Sequence, residues 1–144
     1  MKLLLTFFIF SMSFGFNSQM IRNFQKKNDN NKKERTQMLN MLRSDIKNDI
    51  EQDVVFVVNH FMVSSEFAWM EGTVQRKDNS ELRLPEEYDC CRVRALFKKV
   101  NGNWILKNNG AFATDVWYSC LLDEYTGLDQ RIFPEITRRI VICN

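Results

Sequence analysis

The chain sets 20 lysines and arginines against 18 aspartates and glutamates in 144 residues, a formal net charge of +2. Such a balance, with the signs interspersed, excludes the one-sided basic footprint of a nucleic-acid or anionic-membrane binder. The length suits one domain with one modest hydrophobic core.

The first stretch, MKLLLTFFIFSMSFGFNSQ, has one cation at Lys2, an apolar run from Leu3 to Phe10, then small and polar residues. That is the order of a secretory signal peptide. The run is shorter than the roughly 20 apolar residues needed to cross a bilayer, and no second run of that length follows, so no membrane span is expected. Cleavage after Gly15 and after Ser18 both fit the pattern. Residues 1–18 are assigned to the leader, 19–33 to a polar linker and 34–144 to a single domain, and the mature protein is expected to be secreted or periplasmic. The lysines of KKNDNNKKER are diluted by Asp29, Glu34 and asparagines, which marks a solvated segment and not a nucleic-acid arm.

Next, KKERTQMLNMLRSDIKNDI repeats apolar residues at Met38, Leu42, Ile46 and Ile50, with Leu39 and Met41 beside them, which predicts an amphipathic helix of about five turns. Asn30 or Asn31 is its expected N-cap, with Glu34 placed as in a capping box. VVFVVNHFMV reads as a strand buried on part of both faces, SSE as a turn, and EFAWMEGTVQR as the returning strand. KDNSELRLPEEYD is a long polar loop, with a short edge strand expected at 82–84. Asn101 and Gly102 then join CRVRALFKKV to NWILKNNGAFA, the strongest short-range hairpin signal. A two-residue turn there puts Cys91, Val93, Ala95 and Phe97 on one face with Leu106, Gly110 and Phe112. It sends Arg92, Arg94, Lys98, Lys107 and Asn109 to the other. TDVWYSCLLDEYTG is expected to form a short helix stopped by Gly127, and LDQRIFPEITRRIVICN a tail with strand-like apolar residues near its end.

The fold class is therefore α+β: one long N-terminal helix packed on a four- to five-stranded antiparallel meander, with a short C-terminal helix and tail. FAWMEG, Phe67 to Gly72, followed by the hairpin VRALFKKVNGNWIL, Val93 to Leu106, resembles the strand pattern of the NTF2-like and cystatin-like superfold. The same order, with a Thr-Asp-Val turn such as Thr114 to Val116, looks like that of a group of small exported bacterial proteins. The resemblance implies either a binding module or a small-molecule enzyme or carrier with a conical pocket. Enzymes of the second kind usually spend a longer helical half on the pocket than this chain has.

Polar residues able to line such a pocket are His60, Glu71 and Asp115. Of these, His60 is the one histidine, on a strand with Phe56, Val58 and Met62. No catalytic set or cofactor motif is recognised, and two adjacent cysteines plus two distant ones have no zinc-site or Cys-x-x-Cys spacing. An even cysteine count in an exported chain points to disulfides. Of the three connectivities, a bridge between neighbours would strain the intervening peptide, which leaves two. Strand alternation, with the Cys120 helix folding back over the core side, then favours Cys91 with Cys120 and Cys90 with Cys143, a bulge at the strand start exchanging the two. The expected function is an exported non-catalytic binding or inhibitor-type module for a protein or small ligand, with no cofactor and no metal; the alternative is the conical-pocket enzyme or carrier.

Overall fold

The computed structural model describes residues 20–143; the expected leader lies outside them. Five strands form one antiparallel sheet in chain order: β1 (Arg22–Asn23), β2 (Val54–Val63), β3 (Phe67–Arg76), β4 (Arg92–Val100) and β5 (Asn103–Asn109). Three helices accompany it, α1 (Lys32–Ile50), α2 (Leu121–Glu124) and α3 (Glu135–Val141), with a 3-10 turn at Gln130–Ile132. The α+β class and the meander are as the residue pattern predicts.

The α1 stripe explains the first layer. Met38, Leu39, Leu42 and Ile46 are buried against Val93, Ala95 and Phe97 of the sheet, together with Phe61, Met70 and Trp104. Each such large apolar side chain contributes roughly 1.5–3 kcal/mol on burial. The capping box does not form. Asn31 spends its side chain on Asn28 N and Lys26 O, while Asn28 Oδ1 accepts from Asn30 N and Asn31 N. Glu34 turns instead to Arg22, Lys99 and Trp104.

That pull on Glu34 also corrects the linker. Phe24 is buried, Phe24 N donates to Phe61 O, and β1 pairs with the far end of β2, so part of 19–33 belongs to the domain.

Asn101 and Gly102 both take positive φ, 50° and 79°, as the tight β4–β5 turn demands. The face assignment holds along β4. It slips on β5, where Phe97 pairs with Leu106 but Leu96 pairs with Asn108, so Lys107 is an extra residue. Asn109 thereby lands on the α1 side and donates to Asp45, whereas Lys107 stays on the other side over Tyr125.

The C-terminal third departs most from expectation. Only Leu121–Glu124 of the first predicted helix is α-helical, and the tail is a helix, not a strand. Pro134 starts α3, and Phe133, Thr137 and Val141, spaced by four, give it one buried face. This segment crosses to the sheet face opposite α1 and builds a second core of Phe67, Trp69, Leu96, Tyr118, Leu121 and Phe133. The Trp117 indole packs against Gly110, where any Cβ would collide with its Nε1 side. The middle of the sheet, around Trp69 and Leu96, is thus covered from both sides.

Candidate functional site

His60 and Glu71 do meet, as cross-strand partners on β2 and β3. A bulge between Val58 and His60 sets that pairing and turns His60 toward the C-terminal segment. His60 Nε2 lies 2.7 Å from Ile132 O; since a carbonyl only accepts, Nε2 carries the proton. Glu71 Oε1 accepts from Trp69 Nε1 and from Thr137 Oγ1, each at 2.8 Å. Arg94 approaches the same carboxylate at 3.7 Å, its guanidinium over the Tyr118 ring, and its Nε has no hydrogen-bond partner among the described residues. The cluster fastens the C-terminal segment to the sheet. Asp115 does not join it, being exposed on the connection before Trp117. Thr137 and Ile132 carry half of this network, and nothing in their local sequence signals it.

The cysteines pair otherwise than strand alternation favours. Cys90 is bonded to Cys91, and Cys120 to Cys143 with Cα atoms 4.9 Å apart. The reason is the crossing: Cys91 stays at the start of β4, where its carbonyl accepts from Val74 N, while Cys120 is carried to the opposite face. There Cys120 N donates to Ile140 O, which brings the α3 end beside it.

The larger recesses lie at one end of the sheet. The 77–91 connection arches from β3 to β4, anchored by Leu82, Leu84 and Tyr88 on the α1-side core. In place of the expected edge strand, the Gln52 side chain clamps Arg83, donating to Arg83 O at 2.6 Å and accepting from Arg83 N at 2.9 Å. Tyr88 stacks on Phe112 and donates to Asp49. Beneath the arch is a recess of about 660 Å³ reaching from Val74 and Arg76 to Glu86, Cys90 and Cys91. A second, of about 460 Å³, continues from Arg76 through Lys77 to Asp53, and a third, of about 490 Å³, from Asp53 to Arg43 of α1. Shared walls make them one recessed band.

Among the described residues no group of three or more His, Cys, Asp or Glu side chains is placed to hold a metal ion, and no helix is long and apolar enough to cross a membrane. Two disulfides suit an extracellular or periplasmic compartment. Comparison with family models, curated proteins and solved structures finds no match to this chain.

Proposed function

We propose that the protein is an exported, non-catalytic binding or inhibitor-type module on the NTF2-like or cystatin-like plan its strands resemble, and that it meets its partner at the recessed end framed by 77–91. One observation carries the reading. α1 fills one face of the sheet and the C-terminal segment fills the other around Phe67, Trp69 and Leu96, and the polar residues that could have served a conical pocket, His60 and Glu71, are committed to holding that segment. A pocket enzyme needs convergent polar groups free to meet a substrate. This chain leaves its open volume at the rim instead.

A photoreactive residue placed singly at Lys77 or Glu86, and at Lys107 on the opposite side as control, tests this in cells that export the protein. The expected result is a discrete cross-linked species from the two rim positions and none from Lys107. Adducts from Lys107 alone, or from none of the three, would overturn the assignment.

A further inference from the structure

The outer edge of β2 is open over most of its length. β1 pairs only with Met62 and Val63, and Phe24 N reaches Phe61 O. Lys77 N donates to Asp53 O, so Asp53 faces β3. Alternation along an antiparallel strand then turns the backbone groups of Val54, Phe56 and Val58 outward. None of these has a backbone partner among the described residues. The stretch Val54–Val58 contains no charge, proline or glycine, the devices that usually protect an edge.

Side chains beside the edge say what could pair there. Toward α1 lies the recess of about 490 Å³ walled by Asn40, Arg43, Ser44, Lys47, Lys77 and Asp53, three cations against one carboxylate. Arg43 is held over the Phe56 ring at 5.4 Å. On the other side of the strand Val57 is 46% exposed. An added strand would therefore present alternate residues to a basic wall and to an apolar strip.

We propose that the β2 edge takes an extended acidic segment of a partner polypeptide as a sixth strand, with carboxylates toward Arg43 and Lys47 and apolar side chains over Val55 and Val57. Charge complementarity chooses this occupant over a second copy of the chain. Antiparallel pairing of β2 with itself would face Arg43 and Lys47 against their equivalents. The proposal rests on the binding-module reading and specifies the partner's chemistry; cross-linking at the rim tests that reading without reference to strand addition.

The test uses the full mature chain with both disulfides intact and a short blocked peptide alternating Glu with Val, against the same peptide with Lys for Glu. NMR titration at low salt is expected to show the Glu peptide binding at least about tenfold more tightly, with shifts centred on the Val54, Phe56 and Val58 amides. Lys47→Glu should reverse the preference, and Val57→Lys should weaken the Glu peptide severalfold less than Lys47→Glu does. Equal affinities for the two peptides, shifts centred on β5, or a concentration-dependent dimer that Val57→Lys dissolves would each overturn the proposal. Selective cross-linking at Glu86 combined with an inert peptide removes the acidic-strand proposal alone.

Discussion

Replacing Glu34 with glutamine should cost about 2 kcal/mol near neutral pH and almost nothing near pH 2. Glu34 accepts from Arg22 Nη1 at 2.9 Å, Trp104 Nε1 at 2.7 Å and Lys99 Nζ at 3.3 Å, so one carboxylate ties β1, β4 and β5 to the first turn of α1. The Arg22 hydrogen bond is the largest influence; against partial burial, and with help from Trp104 and Lys99, it lowers the carboxyl from its ordinary 4.5 to about 2. A folded-state value below the unfolded one means stability present above about 4.5 and lost as pH falls toward 2. At about 1.36 kcal/mol per pH unit the full linkage is about 3.4 kcal/mol, falling to roughly 1.4 at pH 3 and roughly 0.4 at pH 2. Arg22 and Lys99 are 37% and 30% exposed, and solvent screening reduces the neutral-pH figure to about 2 kcal/mol. Urea unfolding of the wild type and Glu34→Gln between pH 7 and pH 3 measures the difference directly. A difference below about 0.5 kcal/mol at pH 7, or one unchanged at pH 3, would refute the reasoning.

Removing the other carboxylate hub, by Glu71→Ala, strips buried Trp69 Nε1 and Thr137 of their acceptor and should destabilise by about 2–4 kcal/mol in the same assay. His60→Gln keeps a side-chain N–H near Ile132 O and should change stability by about 1 kcal/mol or less, whereas a hundredfold loss of partner binding with the fold intact would restore the functional reading of His60. Gly110→Ala pushes a methyl into the Trp117 indole and should cost about 1–3 kcal/mol, with a changed tryptophan emission as its signature. Cys120→Ser with Cys143→Ser opens a bridge spanning 23 positions and should cost about 3 kcal/mol, read by calorimetry.

The elements readable in the residues are those whose period is uninterrupted. The α1 stripe from Met38 to Ile46, the apolar run of β2 and the Asn101-Gly102 turn each carry their own local instruction, and the structure follows them. Bulges escaped, because one inserted residue at Asn59 or Lys107 leaves composition untouched while reversing every face beyond it. The tail escaped for a related reason: its helix is seven residues long, too short for its period to outweigh the strand-like Ile140 to Ile142, and its buried face is defined by packing into the second core through Thr137 and Val141. The cysteine pairing depended on which face the tail covers, the face on which Trp117 packs against Gly110. His60 and Glu71 were visible as polar residues within apolar strands. Their partners Ile132 and Thr137, more than 60 positions away, were not.

Hydrogen exchange at the Trp69 indole tests most directly the claim that the second sheet face is closed where a conical pocket would open, around Trp69. Trp69 is 0% exposed under Trp117, Tyr118 and Phe133, and its Nε1 proton is bonded to Glu71. A filled face predicts that this proton exchanges only when the C-terminal segment opens, at least about a hundredfold more slowly than a free indole, and that Thr137→Val speeds it. Exchange at the rate of an exposed indole, with the protein fully folded, would mean an open pocket on that face and would contradict the account.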